Sequence, residues 1–172
     1  FKQKTAYEML RSLVGSEMCI RDRPQVAVCV GTTADIEVEV DRERLQQVFI
    51  NLIKNAGDAG ARHIMVSAQP SAWHDDLIEA GHLVGDPSLL RQSARVMRIA
   101  VEDDGPGIAP EVMAHIFEPF YTTRAAGEGT GLGLYLVEEI VAEHHGCILV
   151  DCPPSGGTRF TIWLPLKEEG NA

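Results

Sequence analysis

The sequence has no apolar run near the ~18 residues that a membrane-spanning helix needs, so no stretch of it reads as a span. It is also short of positive charge. Fifteen Lys and Arg stand against 25 Asp and Glu, a formal charge of −10. That balance argues against a nucleic-acid partner and against contact with an anionic membrane surface. It leaves a nucleotide site open, since such a site needs only local positive charge or a metal. Cysteine is sparse. Cys19, Cys29, Cys147 and Cys152 form no CxxC pair and no Cys/His ligand spacing, which reads as reduced thiols in a cytoplasmic protein without a zinc site. No internal repeat and no domain-splitting linker is present. What remains is 172 residues, 45 % hydrophobic and 23 % charged: a globular chain of one domain, long enough to bury a core.

Residues 4–23 read KTAYEMLRSLVGSEMCIRDR. They resemble a translated sequencing-adaptor read-through; the alternative is a helix leading in from an upstream domain. Setting residues 1–23 aside as an artefactual or disordered leader places the domain at 24–168, with 169–172 as a tail. The leader holds five basic and three acidic residues, so the rest carries 10 basic against 22 acidic, or −12.

Residues 25–30 (QVAVCV) and 36–40 (IEVEV) read as two strands joined by a turn. Asp41 is placed to cap a helix in which Leu45, Val48, Phe49, Leu52, Ile53 and Ala56 recur at the spacing of one buried face. Strands are predicted at 63–68 and 96–102. Between them, 69–95 reads as a long surface insertion with a weak helical patch from Leu77 to His82. Pro110 opens a short helix, Glu111 to Ile116. Residues 121–130 read as a mobile loop and 132–144 as a helix apolar on most sides. Strands at 147–151 and 158–164 close the chain. The mixed order without strict βαβ alternation predicts an α+β fold, one mixed sheet with helices on one face.

Three short elements can carry chemistry. Asn51 and Asn55 lie i, i+4 on the first helix, roughly 80–120° from the centre of its apolar stripe. Paired amides at a core edge can ligate a hard cation and hydrogen-bond phosphate oxygens. The second is DDGPGI, 103–108, after a strand. Gly105 and Gly107 permit close backbone approach, and Asp103 can accept from an amino group. The third is GEGTGLGL, 127–134, leading into a helix whose N-terminal N–H groups favour an anion. It lacks the lysine of a P-loop, and it follows a loop, whereas the dinucleotide fingerprint follows a strand.

Taken in order, QQVFINLIKNAGDA (46–59), VEDDGPGI (101–108), IFEPFYTTR (116–124), GTGLGL (129–134) and GGTRFTIWLP (156–165) resemble the catalytic ATP-binding domain of sensor histidine kinases. That domain is part of the wider superfamily of gyrase, the heat-shock ninety chaperones and mismatch-repair ATPases. The resemblance implies the Bergerat-type fold, a two-layer α/β sandwich with a mixed, mostly antiparallel sheet and about three helices on one face. It implies ATP and Mg²⁺ as cofactors, with Asn55 as the metal ligand and Asn51 supporting it. Asp103 would accept from the adenine amino group, with Gly105, Gly107, Ile108 and Thr158 shaping the base pocket. Phe117 and Phe120 would anchor a lid begun by Thr122, Thr123 and Arg124. Gly129, Thr130, Gly131, Leu132 and Gly133 would hold the triphosphate, and Arg124 would supply charge to it.

The partners implied are a dimerisation and phosphoacceptor domain carrying the target histidine, expected upstream of residue 24, and a response-regulator receiver domain. The rival readings are an anti-sigma-type serine kinase, an ATP-hydrolysing relative, and a decayed binding module. Hydrolysing members carry a Glu four residues before the metal-binding Asn; Asn51 holds that place and cannot take a proton. Some kinases place Lys or Arg three residues after that Asn and an aromatic beside it; here Asp58 and Ala59 stand there. His82-Leu-Val-Gly-Asp-Pro87 faintly echoes a phosphoacceptor box, but it lies in the insertion. His74, His115, His144 and His145 read as structural or solvated, and Cys147 and Cys152 as strand residues.

Overall fold

The computed structural model describes residues 4–5, 27–32, 37–38, 40–76, 81–125 and 129–166. Most of the leader, the patch at 77–80, the loop tip at 126–128 and the 169–172 tail lie outside the described residues.

Helix α1 (Arg42–Asp58) begins where Asp41 accepts hydrogen bonds from the Glu43 and Arg44 N–H groups at 3.0 and 3.1 Å. Two donors that the first helical turn leaves unpaired are thus satisfied. The six apolar positions predicted to form one face are all buried. The helix closes as Ala61 N–H bonds back to Ala56 O at 3.0 Å.

The apolar stripe packs on a six-stranded sheet. The strands are β2 (Ala27–Thr32), β4 (His63–Ser71), β5 (His82–Val84), β6 (Val96–Asp103), β7 (Cys147–Asp151) and β8 (Arg159–Pro165). Their spatial order is β2-β4-β6-β8-β7-β5. Only β2 and β4 run parallel; the other neighbours are antiparallel. A separate two-stranded ribbon pairs β1 (Lys4–Thr5) with β3 (Glu37–Val38).

Period-2 alternation sends Ile148, Val150, Phe160, Ile162 and Leu164 to one face, where they meet α1, the short α3 (Pro110–Met113) and α4 (Gly133–Glu143). This is the expected α+β sandwich with three helices on one face. The two long helices are tied at their far ends. Arg44 grips Glu143 through both carboxylate oxygens at 2.5 and 2.7 Å. His144 accepts from Asp41 N–H at 3.0 Å while its other ring nitrogen donates to Ile140 O at 2.7 Å.

Three expectations need correction. The 69–95 segment is no surface excursion. It extends β4 to Ser71, adds β5 at the sheet edge and places helix α2 (Ser88–Gln92) on the opposite face. There Leu90, wholly buried, joins Val96, Cys147, Leu149 and Trp163, with Trp73 set edge-on to Trp163 at 5.4 Å. Its described residues cover a second apolar face that the helices leave open. Helix α3 ends at Met113, three residues early. Helix α4 buries only Val137, Ile140 and Val141; Leu136 and Glu139 face outward, so it is amphipathic.

Leu90→Ala should cost about 2–5 kcal/mol of stability, the range for truncating a core leucine. Urea unfolding would measure it, and a cost below about 0.5 kcal/mol, the size of an ordinary surface change, would mean that the segment does not share the core.

Candidate nucleotide site

Burying the α1 stripe turns Asn51, Lys54, Asn55 and Asp58 to one side of that helix, at i, i+3, i+4 and i+7. The start of α4 lies opposite. A Cβ added at Gly133 would sit 3.8 Å from both Asn51 Oδ1 and Asn55 Nδ2. No side chain caps α4, so its first N–H groups remain available to an anion. Between α1, α4 and the sheet is a cavity of about 510 Å³, within the usual size for small-molecule sites. Asn51 Nδ2 is buried beside it without a hydrogen-bond partner. Orphaned donors of this kind cost roughly 1–3 kcal/mol, which a bound acceptor would relieve.

The other wall is the end of β6. Asp103 Oδ1 accepts from Gly105 N–H at 2.8 Å and Thr158 N–H at 3.3 Å. Its second oxygen has no partner among the described residues. Burial raises the Asp103 pKa above the ordinary value; the two N–H bonds oppose this, and Asp104 and Glu102 reinforce it. Asp104 behaves oppositely. Hydrogen bonds from the His63 N–H, the His63 ring and the Arg62 N–H hold it far below the usual carboxylate range. Those bonds pin the start of β4 to the end of β6. Gly157 has φ +83, and a Cβ there would lie 2.8 Å from the Asp103 carbonyl carbon. Only glycine lets the 156–158 turn close over Asp103.

Residues 121–124 and 129–131 border the open side. Phe120, at φ +68 and 73 % exposed, donates its N–H to Gly131 O at 2.9 Å. Gly131 has φ +64, and a Cβ there would lie 2.6 and 2.7 Å from Phe120 O and Cα. Arg124 reaches back to α1, where Nη1 donates to Asp58 Oδ2. Beyond the β6 wall, the Ile108 N–H donates to Cys152 Sγ at 3.3 Å.

Most of the predicted site residues come together. Asn51, Asn55, Asp103, Gly107, Ile108, Thr122, Thr123, Arg124, Gly129, Thr130, Gly131, Gly133 and Thr158 all line the cavity. Gly105, Phe117, Phe120 and Leu132 do not line it. Gly105 braces Asp103, Phe117 is buried in the core, Phe120 forms the loop base, and Leu132 precedes α4. Sequence reasoning missed Lys54, Ala56, Ala59, Val112, Ile116, Tyr121, Leu134 and Phe160 on the lining. Lys54 was within reach, because it shares the helical column of the two asparagines.

Of the residues read as structural, His82 lies in β5 and stacks on Phe117 at 6.1 Å, and His115 pairs with Glu118 at 2.7 Å on the surface. Cys147 is a strand residue whose thiol burial pushes up to about 11. Cys152 is not, since β7 ends at Asp151.

The fold and cavity define an α+β domain whose pocket is faced by paired amides and by the uncapped start of a helix. Residues 40–168 match the family described as "Histidine kinase-, DNA gyrase B-, and HSP90-like ATPase", and the chain belongs to it. It is 38 % identical over 131 residues to the sensor histidine kinase ZraS of Escherichia coli O157:H7, covering 76 % of this chain and 24 % of that protein. It is 38 % identical over 126 residues to the sensory histidine kinase/phosphatase NtrB of Rhodobacter capsulatus, covering 73 % of this chain and 33 % of that one. The catalytic domain of the histidine kinase ThkA superposes with TM-score 0.68 at 28 % identity, over 97 % of this chain and 98 % of that one. The chain thus spans between about a quarter and a third of these two curated relatives.

Gly131→Ala places a Cβ against the Phe120 backbone, so the loop base must move. The expected result is loss of nucleotide binding with the main-sheet fold retained. Paired titration and circular dichroism check it, and normal binding would show that the loop base tolerates displacement.

Proposed function

We propose that this chain is the catalytic part of a two-component sensor kinase. It binds Mg·ATP and presents the γ-phosphate to a histidine on a dimerisation and phosphoacceptor domain, from which an aspartate of a response-regulator receiver domain takes it. The observation that carries this reading is the convergence, on one cavity, of the Asn51/Asn55 column, the uncapped start of α4, and Asp103 on the far wall.

The residues present fit a Mg²⁺ that arrives with its nucleotide. Among the described residues no cluster of three His, Cys, Asp or Glu side chains could hold an ion alone. The Asn55 amide oxygen, supported by Asn51, would share the ion with phosphate oxygens and water, as is usual for Mg²⁺. When bound, that ion screens the phosphate charge during transfer. The chain's own contribution is placement. Asn51 Nδ2 and the α4 N–H groups hold phosphate oxygens. Asp103 accepts from the adenine amino group, and Ile108 and Phe160 wall the base. As the phosphoryl group leaves, its bond to the β–γ bridging oxygen breaks, a bond to the acceptor imidazole nitrogen forms, and ADP remains.

A single observation separates this from hydrolysis. Among the described residues, Asp103 is the only carboxylate on the lining, and it belongs to the β6 wall. Asn51 cannot act as base toward water. Mg·ATP should therefore bind this chain with little steady-state turnover; rapid release of inorganic phosphate by the chain alone would favour the hydrolysing reading.

Asp103→Asn gives a two-sided test. Asn keeps an oxygen for Gly105 and Thr158 but loses the charge that burial penalises. Because the folded pKa is raised, the aspartate costs stability as pH rises above the ordinary value of 3.8. The variant should melt higher at neutral pH, with the gain shrinking as pH falls toward 3.8. It should also lose affinity for ATP and narrow the preference for ATP over GTP. Equal wild-type affinity for the two nucleotides would remove Asp103 from base recognition.

A further inference from the structure

Two cations line the cavity among the described residues, Lys54 and Arg124, and they are not equivalent. Arg124 is engaged by Asp58, with 31 % of its side chain exposed and only 8 % of that of Asp58. Seen from the cavity the pair is close to neutral. Releasing Arg124 would give up a charge-assisted hydrogen bond to a nearly buried carboxylate, which is unfavourable. Arg124 is thereby fixed as the tie between the loop and α1.

Lys54 differs on every count. It stands one turn before Asp58, between the two asparagines on the same helical column. It is exposed, and its side chain makes no ion pair or hydrogen bond among the described residues. Its ammonium is a point charge on a flexible stem that can follow a phosphate group. The chain around it carries a net charge of −10, so a polyphosphate approaching the cavity meets a repulsive background. Helix-terminal N–H groups supply only about half a unit charge against it.

We propose that Lys54 is the phosphate-positioning cation of this site, acting on the terminal phosphates of the nucleotide beside Asn51 and Asn55, while Arg124 holds the loop. The inference rests on the reading of the cavity as an ATP site. It differs from the assignment that the motifs suggest, in which Arg124 supplies the charge.

The test uses the 172-residue chain with Mg·ATP, Mg·ADP and adenosine, titrated at low and high salt. Lys54→Gln should weaken Mg·ATP about tenfold, equivalent to ~1.4 kcal/mol. Mg·ADP should weaken less and adenosine not at all, and the salt dependence of ATP binding should flatten. Lys54→Arg should restore most of the affinity, which a merely structural role would not require. Arg124→Gln should lower the melting temperature while changing Mg·ATP affinity less than Lys54→Gln does. Mg·ATP affinity of Lys54→Gln within about twofold of wild type would overturn the inference. So would an equal loss for adenosine, or a larger loss in Arg124→Gln. A wild-type chain that binds none of the three ligands overturns the ATP reading and this inference with it. Normal wild-type binding with an unaffected Lys54→Gln overturns the inference alone.

Discussion

The rotation of α1 about its own axis is the constraint on which the site depends. Six apolar residues bury that helix against the sheet, and their burial leaves one azimuth for every other position. Asn51 and Asn55 then point along the α4 interface, where Gly133 stands opposite both amides. The helices are fixed at the far end by the bidentate Arg44–Glu143 contact and by the His144 bridge to Asp41. A shift of one residue in the α1 stripe would carry the amides about 100° around the helix and leave the start of α4 facing apolar groups. Packing energy, not any contact within the site, therefore sets the site's geometry.

The two ends of the cavity pose opposite electrostatic problems. At the β6 wall a carboxylate must remain an acceptor although burial disfavours its ionised form. Two backbone N–H groups on one oxygen offset part of that cost, and the other oxygen has no partner among the described residues. At the α4 end, the proposed reading asks an acidic chain to attract an anion. The uncapped N–H groups and the buried amide donor there are suited to do so at short range. The rigidity of both walls comes from backbone geometry at two glycines. Gly157 lets the 156–158 turn reach Asp103, and Gly131 lets the loop base close on Phe120.

Where periodicity was strong, the sequence was legible. The α1 face, its Asp41 cap and the strands that bear the core follow from spacing alone, and they place the asparagine pair and Asp103 correctly. The motif order supplied the remaining lining glycines and threonines. What stayed hidden depended on partners distant in sequence. Nothing local in 69–95 signals that Leu90 and Trp73 will find Trp163 across the sheet, because the apolar face they cover is contributed by β6, β7 and β8. The lining residues Val112, Ile116 and Phe160 look like ordinary core residues, and they become walls only because the loop leaves a gap above them.

Asp58 illustrates how a departure from a family pattern can mislead when residues are read singly. Where some kinases place a cation, an acidic residue suggests a lost phosphate contact. In the folded chain the acid has a cation across from it, since Arg124 from the loop pairs with Asp58 at the end of α1. The pair makes the loop's attachment electrostatic and places it near the phosphate end of the cavity. Because Asp58 is nearly buried, the attachment is directional and resists screening by salt. On the proposed reading, positive charge for the ligand comes from Lys54, the other cation on the lining among the described residues. The acid at Asp58 then bears on the work of two basic residues, which neither residue shows alone.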